Sequence, residues 1–390
     1  MQISQSELQT RWQKIQQKIK AEQADGCLIS TNVNLLYALG RVINGYAYLP
    51  AEGDALVFIR RPEGFLENNY FYISRLEQAV DILKEKGIAP PQKLLVESGE
   101  MTHEDWLRVQ KALQAQEMRN ATTLLRQARS IKTPYEIEQV RESARLQSLA
   151  YTQIPLLYRS GMTDHEFSVE IERNARLLGN LGIFRIFGQS MEIFMGSVLA
   201  GENAAAPSPY DFALGGAGMS SVLPIGHSGK PLQQGNSVMV DVNGNYTGYI
   251  SDLTRTFSIG KLPKEAYFAH DVAIEIQNRL AEMGKAGAVC EDLYLESLRI
   301  ADRHGLSNCF MGLSQKAKFV GHGIGLVINE LPVLANKAKD VLQENMTIAV
   351  EPKFIISGVG AVGVEDTFIV RQNGMERITS SPQEIIDLEK

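Results

Sequence analysis

Apolar residues recur at Leu8, Trp12, Ile15 and Ile19 in an otherwise polar stretch, a spacing that predicts an amphipathic helix at the amino terminus. Short apolar runs follow, GCLIS, LLYALG and ALVFIRR, in the helix-and-strand alternation of an α/β layer. Helical patterns at 74–87 and 103–118 flank a strand-like LLVES at 94–98. From LLRQARSIKTPYEIEQVRESARLQSLAY onward the chain changes to a long charged amphipathic helix, which places a domain boundary near Ala128. The division is therefore 1–128, a small α/β domain, and 129–390, a second and larger one. Further helices are expected at 163–179, where Thr163 and Glu166 have the spacing of a capping box, and at 264–284. The stretch between them, 202–235, is rich in Gly, Ala, Ser and Pro and is expected to form one or more irregular loops, with Tyr210, Asp211 and the run to Ser221 read as a flexible surface loop in preference to a cover over a site entrance or an oligomer contact.

The carboxyl-terminal part reads as strands and glycine turns. Valines at 238, 240 and 242 alternate with Met239, Asp241 and Asn243, so Asp241 points away from the valine face. Asn243-Gly244 is a reversal signal, and a returning strand over 249–257 would bring Asp252 near Asp241. TIAVEPKFII and VGVEDTFIV flank SGVGAVG, a second return that would set Glu351 near Glu365. His322 lies between glycines, which lets backbone and ions approach closely.

Any one of these acids alone would suit a solvated turn. Together, Asp241, Asp252, His322, Glu351 and Glu365 form a set of hard oxygen donors with one imidazole, and four converging carboxylates would be driven toward protonation without cations. The set therefore reads as a two-metal hydrolytic centre that activates a water. One imidazole among four carboxylates admits Mn²⁺, Co²⁺, Fe²⁺ or Zn²⁺. Histidines 103, 165, 270 and 304 sit in polar helical contexts and are expected at the surface.

Composition narrows the class. A chain of 390 residues exceeds what one core normally supports, in line with two domains. A net charge of -6 with mixed signs offers no basic field for nucleic acid, and small-molecule or peptide chemistry fits better. Cys27, Cys290 and Cys309 are odd in number and widely spaced, which suits a reducing cytoplasm rather than a disulfide framework. Neither a signal core nor a membrane-length apolar run is present in the sequence.

At these residues the chain resembles the pita-bread superfamily of Xaa-Pro aminopeptidases, prolidases, methionine aminopeptidases and creatinase. The resemblance rests on Asp241, Asp252 in SDLTRTF, His322 in HGIG, Glu351 before Pro352 and Glu365 before Asp366, and it extends through RSIKTPYEIEQV and GCLISTNVNLLYALG to nearly the whole chain. It implies an α/β creatinase-like amino-terminal domain and an α+β pita-bread catalytic domain with a curved antiparallel sheet. It further implies two divalent ions, manganese favoured, with Asp252 and Glu365 bridging, Asp241 completing one ion, and His322 with Glu351 completing the other. Glu351 would also be the proton acceptor from water. The partners implied are a short peptide or small amide and a second copy of the chain, as a homodimer. Three positions depart from the family pattern: Asn329 where a second histidine is usual, Ile225 after Leu-Pro with a shifted His227 as the candidate catalytic replacement, and Gly363 where an arginine is usual. Restoring a histidine at 329 is expected to raise turnover. The expected function is a dinuclear metal-dependent peptidase for Xaa-Pro bonds of short peptides; the alternative is a pita-bread binding scaffold or a creatinase-like small-amide hydrolase.

Overall fold

The computed structural model describes residues 3–188 and 194–390. By internal contacts the chain divides into two compact units, Met1–Arg129 and Ser130–Lys390.

In the first unit, the predicted amino-terminal helix is α1 (Gln5–Ala21), capped by Ser4 and burying Leu8, Trp12, Ile15 and Ile19. Next come β1 (Gly26–Ile29), α2 (Asn32–Leu39), β2 (Asn44–Pro50), β3 (Leu56–Arg61), β4 (Tyr70–Tyr72), α3 (Gln78–Glu85), β5 (Lys93–Val96), α4 (His103–Leu113), β6 (Glu117–Asn120) and α5 (Thr122–Ser130). The strands form one mixed sheet in the order β4-β3-β2-β1-β5-β6. Its core joins Leu28, Phe58, Leu94 and Val96 to Leu83 of α3 and Leu113 of α4. The expected helix over 103–118 stops at Leu113, because Gln114 adopts a left-handed conformation (φ 56°) and the chain turns directly into β6.

The second unit opens with α6 (Pro134–Gln153). The long helix expected here is broken at 131–133, where Thr133 and Glu136 make a capping box and Pro134 takes the first turn, a position that needs no backbone N–H. Then follow α7 (Asp164–Leu177), with the predicted Thr163–Glu166 box, β7 (Gly196–Ala200), β8 (Ser237–Val242), β9 (Gly244–Asn245), β10 (Ile250–Ser251), β11 (Thr254–Ser258) and α8 (Lys264–Met283). The chain continues with α9 (Cys290–Arg303), β12 (Phe319–Gly323), β13 (Glu330–Ala335), β14 (Thr347–Val350), β15 (Lys353–Ile356), β16 (Gly360–Gly363), β17 (Asp366–Arg371), β18 (Gly374–Arg377) and β19 (Ile386–Asp387). One sheet runs β19-β11-β8-β7 and another β13-β12-β14-β17-β18, the latter antiparallel throughout. Helices α8 and α9 cover a core of Ile276, Leu280, Leu293, Ile348, Val350 and Phe354.

Three expectations need correction. Asn243-Gly244 is not the reversal: the pairing Asp241↔Thr254 continues as Gly244↔Ser251 and Asn245↔Ile250, so the turn falls at 246–249, where Asn245 Oδ1 accepts from Gly248 N at 3.1 Å. Gly244 is small because a Cβ there would meet the Gln147 side chain at 2.7 Å, not because the chain turns. His270 is buried rather than exposed, because it lies one helical turn beyond Ala266 on the inner stripe of α8, and its Nε2 bonds the Gln383 carbonyl at 2.6 Å. The irregular stretch after the 3-10 turn Gly201–Ala205 is partly tied down: Ala213, Leu214 and Ile225 are buried, and the Asn203 side chain bonds Gly226 O and Ala217 N at 2.9 Å each.

Candidate metal centre

The β-register builds the site. In the β8/β11 pair Thr254 lies opposite Asp241, and residues two apart on a strand share a face, so Asp252 lies diagonally across from Asp241 on the same face. In the second pair Val350 faces Asp366 and Lys353 faces Gly363; the register is continuous, which sets Glu351 across from Glu365 and puts Lys353 on the face of Glu351. The two sheets meet at Thr254 and Glu365, whose backbones exchange hydrogen bonds at 3.3 and 3.1 Å. His322 is placed by pairing with Ala349 on β14, one step from Val350 and Glu351. Its flanking glycines serve backbone approach: a Cβ at Gly321 would lie 2.4 Å from Ala349 O.

Motif residues that are not candidate ligands hold this seam. Thr254 Oγ1 donates to Glu365 Oε2 at 2.7 Å, and Thr367 Oγ1 accepts from Asp252 N at 2.7 Å and donates to Asp252 O at 2.9 Å. Arg255 spends all of its N–H groups on Pro382 O, Thr254 O, Glu365 O, Ser381 O and the carboxylate of Asp366, the last at 2.8 Å. From α6, the Tyr151 hydroxyl accepts from Val242 N at 2.9 Å and donates to Leu253 O, clamping the strands that present Asp241 and Asp252.

All five residues expected at the metal converge. Ligand atoms of Asp252, His322 and Glu365 form one group within 4.8 Å of one another, and those of Asp241, Glu351 and Glu365 form another. His322 Nε2 lies 3.4 Å from Glu351 Oε1 and 3.9 Å from Asp252 Oδ2. The other ring nitrogen, Nδ1, donates to Gly323 O at 3.1 Å, which orients the ring and leaves Nε2 facing the acids.

The second group already holds a cation that sequence reasoning missed. Lys353 Nζ donates to Glu351 Oε2 at 2.7 Å, Asp241 Oδ2 at 2.9 Å and Glu365 Oε2 at 3.2 Å, and its side chain is 0% exposed. The signal was present in the sequence as a lysine two residues past a ligand glutamate in a run, KFII, that is otherwise apolar. Burial alone would lower the Lys353 pKa, but Asp241, Glu351 and Glu365 outweigh it and hold the ammonium charged.

The charge remains unbalanced. Burial, with Glu365 and Asp241 nearby, pushes Asp252 well above the carboxylate range, and burial with Glu351 pushes Glu365 up to about 8. Glu351 goes the other way: burial opposes its charge, yet Lys353 and His322 bring it down to about 2. Burial would likewise lower His322, but Glu351 and Glu365 raise it to about 9. Four carboxylates against one lysine therefore recruit protons, and a divalent ion among Asp252, His322 and Glu365 would relieve that excess. Glu365 Oε1 is buried and has no hydrogen-bond partner among the described residues, which is the condition of a donor awaiting a cation. The donor set fits a divalent ion.

The other sequence candidates have local partners of their own. His227 Nε2 bonds His165 Nδ1 at 2.9 Å and its ring packs on Phe194 at 5.1 Å. Among the described residues no hydrogen bond joins it to Asp241, Asp252, His322, Glu351 or Glu365. Burial and His165 lower its pKa, favouring the neutral ring. Asn329 accepts from Phe187 N at 2.7 Å and donates to Phe187 O at 2.9 Å, so its amide clamps a backbone segment.

A buried cluster of acids and one histidine at the seam of antiparallel strands is the architecture of a hydrolytic metal centre. The chain belongs to metallopeptidase family M24, which matches residues 138–372, and the creatinase/prolidase N-terminal domain matches residues 11–131. It is 23% identical over 387 residues to the Xaa-Pro dipeptidase of Pyrococcus furiosus, covering 97% of this chain and 100% of that protein. Among solved structures it is similar to an Xaa-Pro dipeptidase from Bacillus anthracis (TM-score 0.80, 25% identity, 97% and 99% of the two chains). The X-Pro aminopeptidase of Thermotoga maritima shares the fold (TM-score 0.77, 20% identity, 96% and 99%). The two-part architecture is thus a creatinase-like α/β domain followed by a pita-bread metallopeptidase domain. No helix among the described residues is long and apolar enough to cross a membrane.

Proposed function

We propose that this metallopeptidase cleaves the Xaa-Pro bond of short peptides. The observation that carries the reading is the convergence of Asp241, Asp252, His322, Glu351 and Glu365 at one seam, in a chain whose relatives over nearly full length include proteins named Xaa-Pro dipeptidases.

Asp252, His322 and Glu365 would hold a divalent ion, with Glu351 and Asp241 completing its surroundings. When bound, such an ion supplies Lewis acidity toward a scissile carbonyl and makes water acidic enough to react near neutral pH. Glu351 is assigned to accept the proton from water and return it to the leaving nitrogen: its Oε1 is turned toward His322 while Oε2 is fixed by Lys353. Asp241, at 25% exposure, marks the side of the cluster that solvent and substrate reach, whereas Glu351, Lys353 and Glu365 are at 5% or less. His227, kept neutral, is assigned a hydrogen bond to the substrate. The hard donor set makes Mn²⁺ the first ion to test. Residues 1–128 as a separate amino-terminal domain, 129–390 as the catalytic domain, a homodimer, a cytoplasmic location and no nucleic-acid or membrane partner complete the reading, supported by the resemblance, charge and cysteine usage. A binding scaffold or a creatinase-like small-amide hydrolase is not favoured, since the ligand set is intact.

The test is hydrolysis of an Xaa-Pro dipeptide and tripeptide panel by protein stripped with chelator and then resupplied with Mn²⁺. Cleavage should vanish on stripping and return with the ion, and Asp252→Asn or Glu365→Gln should cost about 10²- to 10⁴-fold. Equal cleavage with and without metal, or by the variants, contradicts the reading.

A further inference from the structure

Resting on the metal-dependent reading above, we infer that Lys353 stands permanently where a second ion would bind, so that the centre takes one divalent ion per chain, among Asp252, His322 and Glu365, instead of the two that its acids suggest. The Nζ contacts one oxygen of each of Asp241, Glu351 and Glu365, the same three residues that make up the second ligand group. An ion shared by those three would need to lie about 2.0–2.2 Å from their oxygens. That point is within contact of the ammonium, whose hydrogens already take the lone pairs, and a unit and a double positive charge so close repel strongly in a buried site.

The lysine cannot be read as a surface residue that swings in. Its backbone is fixed in the β15/β16 ladder opposite Gly363, its side chain has no solvent exposure, and the strand continues into the buried Phe354. The facing strand is tightly packed against it. A Cβ at Gly363 would lie 2.4 Å from Pro352 O and 2.8 Å from Lys353 Cα, so the two strand backbones approach too closely there for any side chain, and φ at Gly363 is +153°. The first group keeps its own free donor: Glu365 turns Oε2 to Lys353 and Thr254, while Oε1 has no hydrogen-bond partner among the described residues. Lys353 therefore fixes the position of Glu351 and Glu365, and acts as a positioning residue.

The experiment counts ions rather than turnover. Chelator-stripped protein is dialysed against Mn²⁺ alone, its manganese per chain is measured by elemental analysis, and its electron paramagnetic resonance spectrum shows whether the ions are isolated or spin-coupled. Wild type should hold one isolated Mn²⁺ per chain. Lys353→Gly and Lys353→Ala should hold two, with a coupled spectrum. Two ions in the wild type, or one ion in variants shown by circular dichroism to be folded, overturns the inference while leaving a metal-dependent peptidase standing. No manganese in the wild type overturns the metal reading and this inference with it. If neither variant folds, the wild-type count and spectrum decide alone.

Discussion

Replacing Arg255 by methionine should unfasten the seam between the two sheets while keeping every candidate metal-ligating side chain. The guanidinium is 2% exposed and Asp366 is 0% exposed, so the change strands a carboxylate away from water. Asp366 would keep Thr379 Oγ1 at 2.6 Å and Gln383 Nε2 at 2.9 Å, and the half-exposed Arg377 stands 3.8 Å away. Breaking one side of a buried pair costs about 3–5 kcal/mol, and those remaining partners place this case near about 3. The loss of donors to four backbone carbonyls acts in the same direction. Both tryptophans, Trp12 and Trp106, lie in the first unit, so their fluorescence would follow the wrong half of the chain. Hydrogen exchange read by mass spectrometry on peptides covering 254–258 and 366–371, across a urea series, reports the right one. Opening free energy there should fall by about 3 kcal/mol or more, and Arg255→Met with Asp366→Leu should recover part of the loss because no unpaired charge remains. A fall below about 1 kcal/mol in the single variant would refute the view that this pair holds the seam.

Two further outcomes concern the residues that depart from the family pattern. Asn329→His should bring no gain in Xaa-Pro turnover, because the asparagine amide is committed to both backbone groups of Phe187 and imidazole cannot replace that two-point clamp; a rise in kcat would show that the position faces substrate after all. His227→Ala should lower kcat/KM by about 10²-fold or more while leaving bound manganese unchanged, and an unaltered kcat/KM would assign His227 to packing against His165 and Phe194.

Much of the site was legible because strand register follows from alternation. The Val238–Val242 pattern pointed Asp241 off the apolar face, and the SGVGAVG return set Glu351 against Glu365. What escaped was decided by packing. Gly244 looked like a turn residue but is small to admit Gln147, and His270 looked polar and external but sits on a buried stripe with Ala266, Ala273 and Gln277. Helix α9, whose Leu293, Ile300 and Ala301 form a buried face, also went unread between loops. Lys353 escaped because a lysine beside a glutamate ordinarily signals solvent; only the register shows that it shares a face with Glu351 and lies diagonal to Glu365. Asn329 was weighed as a missing histidine, whereas its partner, Phe187, is far away in sequence and invisible to local patterns.

Anomalous scattering from crystals grown with Mn²⁺ would locate the ions independently of any substrate. One manganese peak is expected within the Asp252, His322 and Glu365 group, with the Lys353 ammonium seated among Asp241, Glu351 and Glu365. No peak at these residues would contradict the metal centre itself, and a second peak in place of the ammonium would contradict the role given to Lys353.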